Sequence, residues 1–287
     1  MWSDRSPSSK GSANKERCSE VRVYSQESYR FLLELALAKG YRFVGFRGPR
    51  EVAERCVYLR HDVDYSLGIA LELARINASM GVQGTFCLLL RSQIYNLLSH
   101  QSLDCAQEIR SLGQRLALHY QLPRTIPPSD DALTTLIHAD FDILHHHLPD
   151  AEPAFAWHNP TPEVFQRGLH FYPPDLLNIY SARFIKDIPY FSDSNMRHTV
   201  AEFEGVIRSG DHSDLHLLFH PLNWVCGGSS VREIFSRTWP YVIREREQDF
   251  MANRTYQELL PEGMPEPILQ SFAEQWHQAT GDESHDG

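Results

Sequence analysis

Two aspartates stand two residues apart at the end of an apolar run. Asp62 and Asp64 belong to the segment 60–64, RHDVD, which follows the run 56–59, CVYL. Alternate side chains of a strand point to the same face, so both carboxylates project together from the end of a buried strand. Two like charges this close require a cation or a shared proton. The spacing therefore predicts a cation-binding or proton-transferring site at the exit of this strand.

Three histidines repeat one local pattern, in which an apolar run ends in histidine and a turn. They are His119, His158 and His220. An α/β barrel assembles its site from the carboxyl ends of its strands, which is where this pattern would place all three side chains. Carboxylate and imidazole donors together suit a borderline divalent ion such as zinc. We therefore expect a divalent metal at this edge of the sheet, and the donor set favours zinc.

The elements that must position these residues alternate between strand and helix. Strands are predicted over 41–46, 56–63, 84–90, 115–119, 154–158 and 214–220, and helices from Ser25 to a stop at Gly40 and over 67–80, 103–112 and 131–148. Such alternation implies parallel strands joined by right-handed crossovers, and hence the α/β class. The pattern weakens after Pro160. The final third, from Ser229, is expected to be helical, with interruptions at Pro240 and Pro261.

Length and composition indicate one globular domain with loose ends. The chain has 287 residues, 42% of them hydrophobic, enough to bury one large core. We assign that domain to 21–280, with a disordered polar tail over 1–20 and a flexible acidic tail over 281–287. A formal charge of −10 argues against a nucleic-acid surface, which needs clustered Lys and Arg.

Membrane and redox signals are also informative. We find no apolar stretch long enough to span a bilayer and no apolar signal-peptide core in the first twenty residues, so we expect a cytoplasmic protein without a transmembrane segment. The five cysteines are odd in number and widely spaced, which indicates reduced thiols. Cys56 and Cys87 are expected in core strands.

Five motifs, in their order along the chain, resemble those of the polysaccharide deacetylase family of metal-dependent amidohydrolases. They are 60–64 RHDVD, 117–120 ALHY, 158–160 HNP, 192–195 SDSN and 218–221 LFHP. The sequence is most similar to the branch whose first motif is RHDVD, members of which accompany surface polysaccharide (lipopolysaccharide O-antigen) biosynthesis. The resemblance implies a distorted, incomplete (β/α)7-type barrel that uses one divalent metal to remove N-acetyl groups from sugars.

The resemblance also implies roles for individual residues. Asp62 matches the general base, Asp64 and His119 match metal ligands, and His220 matches the histidine that protonates the leaving amine. The family's second motif has another histidine, which here would fall at Pro123. One expected ligand is therefore missing from the sequence.

We assign the missing ligand to His158, which stands where the family commonly has an arginine that pairs with the base. His61 is the alternative ligand, although strand alternation points it away from the aspartates. The base then lacks its usual partner, and Arg60 or Arg124 is our hypothesis for a replacement.

Three further residues are candidates for substrate binding. Arg60 neighbours the aspartates, and Asp193 lies in a motif that is next to the site in the resembled branch, where it either binds substrate or supports a catalytic group. Trp224 is expected to stack on a sugar ring.

Structural roles compete with these assignments. Asp64 could cap the helix that starts near Ser66, and an isolated histidine is more often a hydrogen-bonded core residue. The run 145–147, HHH, falls late in a predicted helix, where it is interpreted as a solvated surface.

The expected function is hydrolysis of an N-acetyl or similar acyl group on an amino sugar, carried on a nucleotide- or lipid-linked precursor of a surface glycan. In this reaction Asp62 takes a proton from water and His220 gives one to the departing amine. Two alternatives stay open. One is hydrolysis of a small formamide or cyclic amide, and the other is a degenerate family member that binds sugar without cleaving it.

Overall fold

The sheet is the part of the molecule that positions the candidate site. The computed structural model describes residues 22–48 and 54–280, so the predicted tails over 1–20 and 281–287 lie outside the described residues. Within them the strands are β1 Tyr41–Val44, β2 Arg55–Val63, β3 Thr85–Leu89, β4 Arg115–Gln121, β5 Ala154–His158, β6 Leu177–Asn178, β7 Tyr190–Ser192 and β8 Asp214–Phe219.

All paired strands run parallel, in the order β6-β5-β4-β3-β2-β8-β7. The remaining strand, β1, pairs in parallel with the first half of β2. The second half of β2 pairs with β3. In the described part of the chain β6 and β7 lie at the two ends of this strand order and do not pair with each other, so the sheet is an open, incomplete α/β barrel. This confirms the predicted fold class.

Helices form the crossovers and the carboxyl-terminal region. They are α1 Gln26–Ala38, α2 Leu67–Ser79, α3 His100–Ser111, α4 Asp130–His147, α5 Pro162–Gly168, α6 Ala182–Ile185, α7 Val200–Ser209, α8 Pro221–Val225, α9 Val231–Met251, α10 Arg254–Leu259 and α11 Glu266–Thr280. Among the described helices, none has the length and apolar character needed to cross a membrane.

The sequence located the first four long helices closely. The first, α1, begins after the N-cap Ser25 and is followed by Gly40 at a φ of 79°, as the stop signal predicted. We missed α7, although its signal is present at 199–202, TVAE, where Thr199 and Glu202 form a capping box.

One predicted interruption is wrong. Pro240 lies inside α9, which continues through it to Met251. Trp239, beside this proline, packs its ring against Phe272 and Trp276 of α11, so tertiary contacts stabilise the helix next to the lost backbone hydrogen bond. Pro261 does fall in the break between α10 and α11.

The core lies on both faces of the sheet. Every residue of β2 after Arg55 is buried, which is the pattern of a strand covered on both sides. Cys56 and Cys87 are both fully buried in core strands, as predicted. Charged residues at the carboxyl end of β2 are therefore held in a rigid, dry environment.

Candidate active site

The carboxyl ends of four strands bring the predicted catalytic residues together. Asp62 lies in β2 and Asp64 directly after it, His119 in β4, His158 at the end of β5 and His220 directly after β8. These strands are neighbours or near neighbours in one parallel sheet, so their ends meet at a single edge.

Three donor atoms form a small triangle at this edge. Nε2 of His119 lies 3.1 Å from Nδ1 of His158, and Oδ1 of Asp64 lies 3.2 Å and 3.3 Å from these two nitrogens. Corners of a tetrahedron with bonds of about 2.0 to 2.2 Å are about 3.3 to 3.6 Å apart. The triangle is thus only a few tenths of an ångström tighter than zinc coordination requires, and the residues fit a divalent metal.

The charge state of Asp64 agrees with such a centre. Its Oδ1 is buried and accepts no hydrogen bond of good geometry, which leaves a charged acceptor aimed into the triangle. Burial alone would raise the pKa of Asp64, but hydrogen-bonding contacts from His119 and His158 hold it well below its ordinary value. A cation in the triangle would have the same effect when both imidazoles present lone pairs instead. Asp64 is therefore an ionised ligand.

Supporting contacts orient both imidazoles. Nδ1 of His119 lies 3.2 Å from the carbonyl oxygen of Ala156, to which it donates, so Nε2 keeps its lone pair for the triangle. Nε2 of His158 lies 3.1 Å from Nδ2 of Asn159. An amide nitrogen only donates, so with the amide in this orientation Nε2 accepts. With the amide turned by 180°, its oxygen would accept a hydrogen bond from Nε2, and the lone pair of Nδ1 would then be free to bind a cation.

The predicted base is paired with an arginine of its own strand. Nε and Nη2 of Arg60 donate to the two carboxylate oxygens of Asp62 at 2.7 Å and 2.5 Å. Burial opposes the charge on Asp62, but Arg60 outweighs burial and lowers the pKa of Asp62. Oδ2 of Asp62 lies 3.5 Å from Nε2 of His119, beside the triangle. Asp62 is therefore an oriented, ionised carboxylate next to the metal ligands.

This placement corrects one predicted role. Arg60 is fully buried behind Asp62 and lines no part of the cavity, so it is not placed to bind substrate. Its guanidinium lies over the ring of Tyr180, 4.6 Å from the centroid. Arg124, the other candidate partner of the base, is exposed in the loop after β4.

The predicted acid is held by Asp193. Nδ1 of His220 donates to Oδ1 of Asp193 at 2.6 Å, and the backbone N–H of His220 donates to Oδ2 at 2.9 Å. Burial alone would lower the pKa of His220, but the carboxylates, with Asp193 first, raise it to about 9. Nε2 of His220 lies 3.7 Å from Oδ2 of Asp64. His220 is thus a protonated imidazole that faces the triangle.

Two more predicted substrate contacts are corrected here. Trp224 is fully buried, and its Nε1 donates to Oδ2 of Asp193 at 2.8 Å, so its ring is not available to stack on a sugar. Asp193 is also fully buried and spends both oxygens on His220 and Trp224. Both residues lie behind His220 and orient it. Sequence analysis gave Asp193 two possible roles, and this position corresponds to support of a catalytic group rather than substrate binding.

His61 lies on the opposite face of β2. It is fully buried, stacks on Phe86 with ring centroids 4.2 Å apart, and places Nε2 2.8 Å from the hydroxyl of Tyr29. It is therefore not a ligand of the triangle. The histidines over 145–147 are exposed on α4, as expected for a solvated surface.

A cavity with two lobes opens over the triangle, and Asp64, Asn159, Ser194 and His220 line both lobes. The larger lobe, about 260 Å³, is also lined by Asp62, His119 and His158. The smaller lobe, about 160 Å³, has a mostly apolar wall contributed by α8 and α9.

A turn lies between these lobes and begins within the motif 192–195, whose composition is typical of a turn. It covers 194–197, and Asn195 and Met196 have positive φ angles of 51° and 55°. Asn159, at a φ of 43°, is a third residue that lines the smaller lobe and has a positive φ angle. Asparagine tolerates the left-handed conformation, so Asn195 is a residue type that indicates a turn. Nothing in the sequence indicated that the following methionine would adopt it.

Comparison with known proteins finds distant similarities, all of them to solved structures. No protein-family model matches the chain, and no curated protein matches it significantly. A mutant of a CE4 family pseudoenzyme with restored enzymatic activity shares 14% identity at a TM-score of 0.40, over 68% of this chain and 65% of that one. The wild-type pseudoenzyme is from Bacillus anthracis.

Two named deacetylases are similar at the same level. The Streptococcus pyogenes deacetylase PplD, in complex with acetate, shares 16% identity over 72% of this chain and 87% of that chain, with a TM-score of 0.37. The chitin deacetylase of the fungal pathogen Colletotrichum lindemuthianum shares 13% identity over 64% and 82%, with a TM-score of 0.39. At such low identity and TM-score, these likenesses carry no functional conclusion for this chain.

Proposed function

We propose that this protein is a metal-dependent amidohydrolase that removes an N-acetyl or similar acyl group from an amino sugar. The observation that carries the proposal is the triangle of Asp64, His119 and His158, flanked by an ionised carboxylate and a protonated imidazole. An orphaned buried carboxylate oxygen and two oriented imidazoles are the donor set of a catalytic zinc site with open coordination positions.

The two flanking residues divide the proton transfers of amide hydrolysis. A divalent ion held by the triangle would supply Lewis-acid activation of water and of the substrate carbonyl. Asp62, ionised and fixed by Arg60, accepts the proton of the attacking water. His220, protonated and fixed by Asp193, donates a proton to the departing amine.

The cavity supports a substrate larger than a simple formamide. Both lobes meet at Asp64 and His220, so one molecule can extend to either side of the reacting carbonyl. This favours the amino sugar over the small formamide or cyclic amide. The link to surface polysaccharide precursors rests on the sequence resemblance, and the cytoplasmic location stays a prediction.

The complete triangle also supports an enzyme over a degenerate sugar-binding protein. The ligand that the family motif would place at position 123 is absent, because Pro123 stands there. His158, at the end of the neighbouring strand β5, contributes the third donor atom of the triangle. The donor count needed for a catalytic zinc is therefore restored.

Zinc content and turnover test the proposal together. We would measure bound zinc by elemental analysis and acetate release from N-acetylated sugars and their 1-phosphates, for wild type, Asp64→Asn and His158→Ala. The matched control is His146→Ala, which removes an exposed histidine of α4. We expect one zinc per chain in wild type and control, and loss of zinc and activity in both ligand variants. Zinc retained in His158→Ala, or acetate release without metal, would contradict the proposal.

A further inference from the structure

The charges around the cavity are almost fully matched. Asp62 pairs with Arg60, and Asp193 pairs with His220. Asp64 faces the donor triangle, where a bound cation would offset its charge. Each carboxylate near the reaction centre therefore already has a positive counterpart.

Among the described residues, one further cation lines this cavity and has no such partner. Arg197 contributes to the wall of the larger lobe, together with Asp62, His158 and His220. Among the residues that the structure describes, no carboxylate forms an ion pair with Arg197 and no side-chain group accepts a hydrogen bond from its guanidinium. Its side chain is exposed and is therefore accessible to a ligand in this lobe.

The backbone holds Arg197 in place. Its N–H donates to the carbonyl oxygen of Ser194 at 3.0 Å, and the N–H of Met196 donates to the carbonyl oxygen of Asp193 at 2.9 Å. Positive φ angles at Asn195 and Met196 cost conformational energy and persist only where the surroundings impose them. The turn is thus tied to Asp193, the residue that orients the acid, and presents Arg197 to the same lobe as the base.

We propose that Arg197 binds an anionic group of the substrate, a phosphate or a carboxylate carried by the acylamino sugar. This inference rests on the proposed function for the identity of the sugar. An arginine fork recognises both oxyanions through paired charge-assisted hydrogen bonds. An anion bound at this point would balance the positive charge of Arg197, which no described carboxylate balances. The substrate class is therefore an anionic N-acyl amino sugar, such as a sugar phosphate, and not a neutral glycan.

Binding of matched sugars to the zinc-loaded protein tests this directly. We would measure dissociation constants by calorimetry for N-acetylglucosamine, N-acetylglucosamine 1-phosphate and 2-acetamido-2-deoxyglucuronic acid. At least one anionic sugar should bind about tenfold or more tightly than the neutral one, and the margin should shrink as NaCl is raised. The two anionic probes distinguish a phosphate from a carboxylate. Equal affinity for all three sugars would overturn the inference.

Variants separate a direct contact from a general charge effect. Arg197→Ala should abolish the preference for the anionic sugar, and Arg197→Lys should restore part of it as a point charge. The control Arg124→Ala removes the same charge from an exposed arginine that lines neither lobe. If Arg197→Ala keeps the preference, or Arg124→Ala loses it equally, the inference fails.

The outcome is separable from that of the proposed function. An Arg197-dependent preference without acetate release would support the anion site and reject the hydrolase. Acetate release with equal kcat/KM for neutral and anionic sugars, unchanged in Arg197→Ala, would support the hydrolase and reject the anion site. Because Arg197 is exposed, the circular dichroism spectrum of Arg197→Ala should match that of wild type, which would exclude a folding defect.

Discussion

The site has a base side around Asp62 and an acid side around His220. On each side an oppositely charged partner fixes the catalytic group, but the separation of the two partners along the sequence differs. On the base side, Arg60 fixes Asp62 from two residues away on the same strand. On the acid side, Asp193 fixes His220 across 27 positions, from the irregular segment after β7. The first pair forms whenever β2 forms, whereas the second requires β7 and β8 to be paired. We therefore expect the base side to tolerate loop changes that would disrupt the acid side.

The largest effect is expected when the base pair is removed as a unit. The double variant Arg60→Met/Asp62→Asn takes both charges out of the core together, so it should fold and keep its zinc. Loss of the base should lower kcat by about 10² to 10⁴. Zinc analysis and steady-state kinetics check this, and wild-type turnover in the double variant would show that Asp62 is not the base.

Removing Arg60 alone should lower both stability and turnover, because Arg60 neutralises and orients the carboxylate of Asp62. Arg60→Met leaves the carboxylate of Asp62 buried without its partner, which costs about 3 to 5 kcal/mol of unfolding free energy. The double variant should recover most of this loss. Urea denaturation of both variants provides the measurement. A single variant as stable as wild type would mean that the pair contributes little to the fold.

Changing Asp193 should move a pH profile on the acid side. The pKa of His220 is raised to about 9, against the effect of burial, and Asp193 is the leading cause. Asp193→Asn should therefore lower that pKa, so that His220 loses its proton at a lower pH. Because the acid acts protonated, the alkaline limb of the kcat profile should shift to lower pH, with activity at pH 8 reduced by about tenfold.

The control for this shift is Asp187→Asn, which removes an exposed carboxylate between α6 and β7. Its alkaline limb should coincide with that of wild type. An unshifted limb in Asp193→Asn would indicate that His220 does not carry the proton that matters in catalysis.

The smallest effect is expected at the edge of the acid side. Nδ2 of Asn223 donates to the carbonyl oxygen of Asp193 at 3.3 Å, a long neutral hydrogen bond. Asn223→Ala should cost about 0.5 to 1.5 kcal/mol in unfolding free energy and change kcat only a few-fold. Thermal denaturation and kinetics would check this. A loss as large as that of Asp193→Asn would show that the turn around Asp193 is held far less firmly than its contacts indicate.

The sequence by itself determined the regular part of the molecule. Apolar runs and their spacing located β2, β4, β5 and β8 and placed Asp62, Asp64, His119, His158 and His220 at their carboxyl ends. Parallel strands share one polar edge, so the convergence of these five residues followed from local pattern alone. Strand alternation also turned His61 away from the site, because its period of two holds within any regular strand.

Only the tertiary structure decided which groups are partners and which face the cavity. Arg60 and Trp224, predicted as substrate contacts, are buried behind the base and the acid, and the exposed Arg197 faces the larger lobe instead. Burial depends on what packs over a residue, and the packing partners of Trp224 and Asp193 come from distant segments. Local residue patterns specify strands and their ends, whereas depth and pairing are properties of the folded chain.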